Sequence, residues 1–316
     1  MRIVFFGTST FAVSALDALV ASHHEVVLCI TQPARPRGRG LRVAASPVAT
    51  AALRHRLPLL QPERPSAADS VQRIAATTPD LLVVIAYGHI LRPSLLTLAT
   101  HGAISLHPSL LPKYRGAAPI SWAIINGEDA TGVSIFRLTE GVDAGDLIAQ
   151  HAVPIDPQET AVALGGRLAT IGAAHLVESI DLIAAGRVSY RPQSFADATH
   201  ARKLTKADGR IAWTAEARAI HNLVRGVQPW PGAHTWWRGR RLTVWRTRPA
   251  DGDRTRETPG TIVAADARGV VVVTGRQGRL LVEELQLAGG TRLTAEAFQR
   301  GHRIAAGERF TAQPAD

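Results

Sequence analysis

Short runs of consecutive apolar residues recur in the first third of the chain, and they constrain its fold more than any other feature of the sequence. They occupy residues 2–6, 25–30, 81–86 and 103–106. Apolar runs without polar alternation are typical of strands in a parallel sheet that is covered on both faces. Segments with helical spacing of apolar residues separate these runs, at 11–20, 46–56 and 67–77. The alternation predicts a doubly wound α/β domain with a mostly parallel sheet, in which ligands bind beyond the carboxyl ends of the strands.

The last third of the chain has a different pattern. After helical stretches at 160–186 and 213–226, five short β-rich segments follow at 233–237, 241–246, 260–264, 270–274 and 280–286. Glycines and charged turns separate them, which predicts a small β-barrel of the OB type. We therefore expect three parts in chain order, namely an α/β domain at 1–187, a polar linker at 188–206 and an OB-like domain at 207–316.

The net charge of +10 is concentrated in this last third. Residues 1–200 carry 16 Lys and Arg against 15 Asp and Glu, whereas residues 201–316 carry 20 against 11. A basic domain joined to a nearly neutral one is the pattern expected for binding to a polyanion such as a nucleic acid. A basic surface that is only solvated fits the same counts, so the charge alone leaves both interpretations open.

The sequence contains no targeting signal and no pair of cysteines that could form a disulfide. Met1 is followed at once by the first apolar run, which leaves no room for a signal or transit peptide. No window approaches the roughly 18 uncharged apolar residues of a membrane span. Cys29 is the only cysteine, which excludes a disulfide framework and a CxxC metal site. These features predict a cytoplasmic protein without membrane contact, and we expect a monomer that needs no metal.

One histidine and one aspartate stand out as candidates for polar chemistry. His107 lies in the motif Ser105–Pro112, directly after an apolar run, and Asp143 begins the sequence Asp-Ala-Gly-Asp. Pro108 and Pro112 exclude a helix across the loop that follows His107. A histidine at a strand end, held by a rigid loop, is well placed for acid–base chemistry. A buried structural histidine is the alternative.

These motifs belong to a longer stretch, residues 105–150, that closely resembles the core of the 10-formyltetrahydrofolate-dependent formyltransferases. The resemblance extends over nearly the whole chain, through residues 1–16, 31–48, 81–91, 203–213 and 228–237. It implies transfer of a formyl group from 10-formyltetrahydrofolate to an amine, without a metal. The segments 31–48 and 228–237 are similar to the members that formylate methionine on initiator tRNA, which implies that partner here.

The resemblance also assigns roles to individual residues. It implies that His107, Asp143 and residue 105 carry the catalysis. His107 would donate a hydrogen bond to the developing oxyanion, while Asp143 would orient the imidazole or accept the proton of the amine. It further implies a folate cleft formed by Ala86, Tyr87, Gly88, His89, Ile90, Ser109, Leu110, Leu111 and Pro112.

Ser105 departs from the resembled motif, which has asparagine at this position. An asparagine amide can donate to an oxyanion, whereas serine has one donor and a shorter reach. Loss of one oxyanion donor can lower a rate by about 100-fold or more. We therefore predict Ser105 as a catalytic residue that donates directly, acts through a water, or leaves the oxyanion to His107.

Basic side chains predict the contacts to tRNA. The resemblance places the arginine-rich loop from Pro33 to Pro47 at the top of the acceptor stem, with Arg39 at the tRNA end. Guanidinium groups suit phosphate because they form paired hydrogen bonds. The predicted tRNA contacts are Arg35, Arg37, Arg39, Arg42, Lys203, Lys206 and Arg210. A flexible surface loop without a ligand is the alternative for 33–47.

Two other functions fit parts of the pattern. A sugar-nucleotide N-formyltransferase would share the 105–150 core, but it would not need the arginine-rich loop or a basic C-terminal domain. A folate- or RNA-binding paralogue without catalysis would explain Ser105. Binding of NAD is disfavoured, because the turn Gly7–Thr10 lacks the second and third glycines of a dinucleotide fingerprint.

Overall fold

The computed structural model describes residues 1–37, 42–251 and 256–313. Its elements up to residue 201 are β1 Arg2–Gly7, α1 Thr10–Ala21, β2 Glu25–Ile30, β3 Arg35–Arg37, β4 Arg42–Ala44, α2 Pro47–Arg54, β5 Leu59–Leu60, α3 Ala68–Ala75, β6 Leu81–Ile85, α4 Pro93–Leu96, β7 Ala103–His107, β8 Arg115–Gly116, α5 Pro119–Ile125, β9 Ala130–Arg137, β10 Leu147–Pro154, α6 Ala161–Ala184 and β11 His200–Ala201. The four predicted strands and three predicted helices of the first third are confirmed.

A seven-stranded sheet organises this part of the chain. Its strand order is β10-β9-β7-β6-β1-β2-β5. The five strands from β7 to β5 pair in parallel, while β9 and β10 add antiparallel at the other edge. Residues 3–6 of the central strand β1 are all fully buried, because helices cover both faces of a doubly wound sheet. The mostly parallel α/β sheet is therefore confirmed.

The carboxyl ends of the central strands lie side by side at one edge of this sheet. Gly7 at the end of β1 pairs with Ile85 at the end of β6, and Val84 of β6 pairs with Ser105 of β7. The chain therefore leaves β6 at Ala86 and β7 at His107 on the same edge. This is the edge at which doubly wound sheets bind their ligands.

The last third of the chain forms an antiparallel sheet with two helices. Its elements are a short 3₁₀ turn Lys206–Gly209, α7 Ala217–Gly226, β12 Ala233–Trp237, β13 Arg240–Ala250, β14 Ile262–Asp266, β15 Gly269–Val273, a 3₁₀ turn Gly275–Gln277, β16 Arg279–Leu287, β17 Leu293–Thr294 and α8 Ala295–His302. The strand order is β12-β13-β16-β15-β14, and β17 pairs with β16. Ile220 and Val224 on one face of α7 are buried in the core of this sheet, beside Trp213.

The described strands do not close into a barrel. The edge strands β12 and β14 have no ladder between them within the described residues. Residues near the end of the chain instead form one bridge to each side, from Thr311 to Trp236 and from Arg309 to Thr261. The predicted antiparallel β-rich region is confirmed, whereas the closed OB-type barrel is not found.

The contacts between residues divide the chain into two compact units. Unit 1 contains residues 1–119, 130–154 and 165–201, and unit 2 contains residues 120–129, 155–164 and 202–316. Two short segments, residues 120–129 and 155–164, thus group with the C-terminal sheet rather than with the rest of the first 201 residues. Across the described ranges, every helix is too short or too polar to cross a membrane.

Candidate active site

His107 is the last residue of β7, and it is 6% exposed. Its Nε2 lies 2.8 Å from the carbonyl oxygen of Tyr114, and its Nδ1 lies 3.5 Å from Oδ2 of Asp143. Because a carbonyl oxygen only accepts, the contact with Tyr114 assigns the proton of the neutral imidazole to Nε2. Nδ1 therefore presents a lone pair toward Asp143, and it carries a proton only in the imidazolium form.

Asp143 lies in the loop 138–146, which connects β9 to β10. Its Oδ2 accepts a hydrogen bond of 2.8 Å from the backbone N–H of Gly116. Its backbone φ is +50°, in the left-handed region that residues other than glycine rarely adopt. The structure thus brings together the histidine and the aspartate that the sequence singled out, although 35 residues separate them. Their catalytic roles stay predictions.

Two buried residues that sequence reasoning missed hold this loop. Nε2 of Gln193 donates to the carbonyl oxygens of Asp143 and Gly145, and its Oε1 accepts from the guanidinium of Arg115. Arg115 lies inside the stretch 105–150, so the resemblance of this stretch to the formyltransferase core could have pointed to it. Gln193 lies in the segment predicted as a linker, and its polar sequence gave no signal of a role in the site.

Ser105 lies on β7 between β6 and β9 and is 9% exposed. Its hydroxyl donates a hydrogen bond of 2.7 Å to the carbonyl oxygen of Val84 on β6. The one hydrogen of the side chain is therefore directed at the neighbouring strand. Donation to a substrate oxyanion would require this bond to break, and the catalytic role of Ser105 stays a prediction.

We expect Ser105→Ala to retain the rate of the reaction within about twofold, because the hydroxyl hydrogen is engaged by Val84. The loss of this hydrogen bond should lower the free energy of unfolding by about 1 kcal/mol. Single-turnover kinetics and denaturant unfolding measure the two effects. A rate that falls by tenfold or more, at unchanged folding, would support the predicted catalytic role of Ser105.

A cavity of about 170 Å³ opens beside these side chains at the carboxyl edge of the sheet. Its wall contains Val84, residues 86–91, Ser105 and residues 138–143. All five predicted folate-binding residues of the first segment, Ala86 to Ile90, therefore line one cavity together with Ser105 and Asp143. His107 is not part of this wall, but its two neighbours Ser105 and Asp143 are.

The wall of this cavity combines apolar and polar groups. Ile90 is 75% exposed and Val142 is 57% exposed, which gives the cavity an apolar rim suited to a flat ring system. Oη of Tyr87 and Nε2 of His89 are buried without a hydrogen-bond partner among the described residues. Burial raises the pKa of Tyr87 to about 12, so its hydroxyl remains a neutral donor. The apolar rim fits a heterocyclic ligand such as a folate.

The second predicted folate segment, Ser109, Leu110, Leu111 and Pro112, is not part of the cavity wall. Internal hydrogen bonds hold this loop instead. The Ser134 hydroxyl accepts from the N–H of Leu111 at 3.0 Å and donates to the carbonyl of Ser109 at 2.7 Å. Gln150 donates to the carbonyl of Leu111 at 2.8 Å. The loop is therefore fixed next to the end of β7, and its contact with folate stays a prediction.

Comparison with known proteins matches both parts of the chain to one family. Residues 1–180 match the family described as "Formyl transferase", and residues 203–303 match "Formyl transferase, C-terminal domain". The chain belongs to the formyl transferase family.

Similar proteins span nearly the full length of the chain. The "Methionyl-tRNA formyltransferase" of Geotalea daltonii is 43% identical over 311 residues, which cover 98% of both chains. The protein of the same name from Pelotomaculum thermopropionicum is 43% identical over 301 residues, covering 95% of this chain and 96% of the relative.

Solved structures with low identity share the fold. A sugar 3N-formyl transferase, WlaRD, is 16% identical, with a TM-score of 0.67, and the match covers 92% of this chain and 99% of that chain. The glycinamide ribonucleotide transformylase 1 of Symbiobacterium toebii is 22% identical, with a TM-score of 0.51, and the match covers 61% of this chain and 94% of that chain. At this identity, the likeness establishes the formyltransferase fold alone.

The predicted tRNA contacts lie in two places. Arg35 begins β3 and Arg42 begins β4, and these two short strands of the arginine-rich loop pair antiparallel. Arg35 is exposed and lies 3.7 Å from Glu63. Arg39 and the side chains of Arg37 and Arg42 lie outside the described residues. The other predicted contacts, Lys203, Lys206 and Arg210, are exposed residues of unit 2.

A group of potential metal ligands lies away from the active site, among the described residues of unit 1. It consists of His23, His24 and Asp181. Nδ1 of His24 lies 3.3 Å from the amino group of Met1, and its Nε2 lies 3.0 Å from Oδ1 of Asp181. Burial, and then the charge of the amino terminus, lowers the pKa of His24. A neutral ring between an amine and a carboxylate explains these contacts, so we assign no metal here.

Proposed function

We propose that the chain transfers the formyl group of 10-formyltetrahydrofolate to the amino group of methionine on initiator tRNA. The observation that carries the proposal is the position of Asp143. Its side chain faces His107, and it forms part of the same cavity wall as residues 86–90. Relatives at 43% identity over nearly the whole chain are named methionyl-tRNA formyltransferase, which supports methionyl-tRNA as the acceptor.

The contacts of His107 support the roles that we assign to the catalytic residues. Bound 10-formyltetrahydrofolate supplies the formyl carbon to which the amine nitrogen bonds. With Nε2–H held by the carbonyl of Tyr114, Nδ1 of His107 accepts the proton that the amine loses. Asp143 faces that nitrogen and stabilises the imidazolium, as a carboxylate does for a histidine base. The imidazolium then donates its Nδ1 proton, either to the developing oxyanion or to the departing nitrogen of the folate.

We assign the tRNA to the basic part of the chain. Lys203, Lys206 and Arg210 are exposed in unit 2, and residues 201–316 carry nearly all of the net positive charge. Arg35, Arg37, Arg39 and Arg42 would reach the end of the acceptor stem from the arginine-rich loop. Residues 1–187, 188–206 and 207–316 remain the proposed domain limits. We further propose that the protein is a cytoplasmic monomer. Residues Ser109–Pro112 would lie beside the bound folate.

The C-terminal sheet is proposed to be OB-like. Its five main strands pair antiparallel, and the segment around residue 310 approaches both open edges. The N–H of Trp236 donates to the carbonyl of Thr311, and the N–H of Phe310 donates to the carbonyl of Gly260. These contacts support the proposal, because they join the segment around residue 310 to both open edges of the sheet.

A formylation assay tests the function. We expect N-formylation of methionine on initiator tRNA, at a kcat/KM at least about 100-fold above that for methionine on elongator tRNA or for an amino-sugar nucleotide. The kcat/KM for tRNA should fall steeply as the salt concentration rises, because phosphate contacts release counterions. Faster formylation of the amino-sugar nucleotide would replace the tRNA assignment. Folate binding without turnover of any acceptor would favour the non-catalytic paralogue.

A further inference from the structure

After helix α6 the chain returns to the candidate active site and packs against its loops. This return segment, residues 191–201, lies within unit 1. Arg191 pairs with Leu147 through two backbone hydrogen bonds of 2.8 and 2.9 Å. The hydroxyl of Thr199 accepts from the N–H of Tyr114, and residues 200–201 pair with β8. The return segment therefore contacts both loops that hold the proposed catalytic pair.

Gln193 is the side chain of the return segment that reaches the loop of Asp143. It is 7% exposed. Its Nε2 donates to the carbonyl oxygen of Asp143 at 2.9 Å and to that of Gly145 at 2.7 Å. Both hydrogens of the amide thus bond to carbonyl groups of the same loop, on residues two positions apart.

Arg115 fixes the orientation of this amide. Its Nη2 and Nε lie 2.8 and 3.2 Å from Oε1 of Gln193, and Arg115 is 5% exposed. A guanidinium only donates, so the oxygen of the amide must face Arg115 and the NH₂ group must face the loop. The ring of Phe195 lies against the guanidinium, with its centre 5.1 Å from Cζ. The arginine therefore prevents the amide from reversing.

The backbone of Asp143 needs such support. Its φ of +50° is unfavourable for a residue with a Cβ, and such conformations persist only where the surroundings impose them. The loop is held at the backbone by Gln193 and at the carboxylate by the N–H of Gly116. Gly116 belongs to β8, which also pairs with the return segment. The backbone and the carboxylate of Asp143 are thus held by two segments that pair with each other.

We propose that Gln193, oriented by Arg115, is a positioning residue that sets the carboxylate of Asp143 opposite His107. The inference rests on the proposed function, because Asp143 is assigned its role there. A displacement of about 1 Å in a catalytic group can lower a rate by about 100-fold. Loss of the two donors of Gln193 should therefore reduce kcat and leave the binding of both substrates nearly unchanged.

The decisive variant is Gln193→Glu, which keeps the length of the side chain and an oxygen for Arg115 but loses both donors. We expect kcat to fall by about 10- to 100-fold, with the KM values for folate and tRNA within about twofold. Gln193→Met also removes the oxygen that accepts from Arg115, and we expect a similar fall in kcat. Gln299→Ala is the matched control, since Gln299 also bonds two backbone groups, those of Ile304, but in unit 2. Its kcat should match the parent.

A double-mutant cycle separates positioning from general stability. In an Asp143→Asn background, Gln193→Glu should change kcat by less than about twofold, because Gln193 acts through Asp143. An equal loss of kcat in both backgrounds would overturn the positioning role. So would a Gln193→Glu enzyme with the kcat of the parent.

Hydrogen exchange tests the same contact without turnover. In Gln193→Glu, peptides that cover residues 138–146 should exchange at least about tenfold faster than in the parent, while peptides of unit 2 should be unchanged. Unchanged exchange at 138–146 would overturn the inference whatever the enzyme does. A parent that formylates no acceptor, with faster exchange in the variant, would remove the proposed function and keep the contact.

Discussion

Replacement of His107 by alanine, or of Asp143 by asparagine, should lower the rate of formyl transfer by at least about 100-fold. His107→Ala removes the nitrogen that accepts the proton of the amine, and general bases contribute roughly 10²–10⁴ to rates. Asp143→Asn replaces the charge that stabilises the imidazolium with a neutral amide at nearly the same size. The effect should appear in kcat under single-turnover conditions, because both side chains act on the transition state.

A histidine–carboxylate pair away from the active site is the control for this experiment. His175 and Glu178 lie on α6, with Nδ1 and Oε2 2.8 Å apart, and the glutamate is largely exposed. His175→Ala and Glu178→Gln should each leave kcat within about twofold. Near-normal single-turnover rates in a folded His107→Ala or Asp143→Asn enzyme would remove that residue from the reaction.

The position of the candidate site at the carboxyl ends of the strands could be predicted from the local sequence. Apolar runs end at Ala86 and at Leu106, directly before His107, and parallel strands that pair in register bring such ends to one edge of a sheet. The cavity formed by residues 86–90 with Asp143 follows from this topology and from the family resemblance. The resemblance also paired His107 with Asp143, which no spacing rule could do.

The contacts that hold Asp143 could not be predicted from local sequence. Gln193 reaches a loop 50 residues earlier in the chain, and its partners are backbone carbonyl groups that carry no sequence signal. The polar composition that predicted a linker at 188–206 is the same composition that supplies these hydrogen bonds. Polar residues are typical of solvated segments, and only the fold determines whether they are buried against a site.

The C-terminal sheet illustrates the same limit. Strand positions followed from short β-rich segments between glycines and charged turns, and the structure confirms them. The closure of a barrel depends on which strands pair at the edges. Here the segment near residue 310 meets β12 and the start of β14 through isolated bridges. Pairing of this kind joins distant segments and is invisible to local patterns.

Gly145→Ala should abolish most of the activity without any change in a catalytic side chain. A Cβ at residue 145 would lie 1.7 Å from the carbonyl oxygen of Arg137 and 2.9 Å from its carbonyl carbon, so backbone must move. The loop 138–146 would shift, because Arg137 is also bonded through its N–H to the carbonyl of Asp146. The carbonyl of Gly145 would then leave Gln193, and Asp143 would lose its position.

We expect Gly145→Ala to lower kcat by at least about 100-fold, the effect expected for a catalytic group displaced by about 1 Å. The strain should also lower the free energy of unfolding by about 1 to 3 kcal/mol. Gly166→Ala in α6 is the matched control, since a Cβ there meets nothing within 4 Å. Alanine should stabilise that helix by about 0.5 to 1 kcal/mol and leave kcat unchanged. A Gly145→Ala enzyme with the kcat and the unfolding midpoint of the parent would mean that the loop adapts without moving Asp143. The position of the carboxylate would then not depend on this close approach of the two backbones.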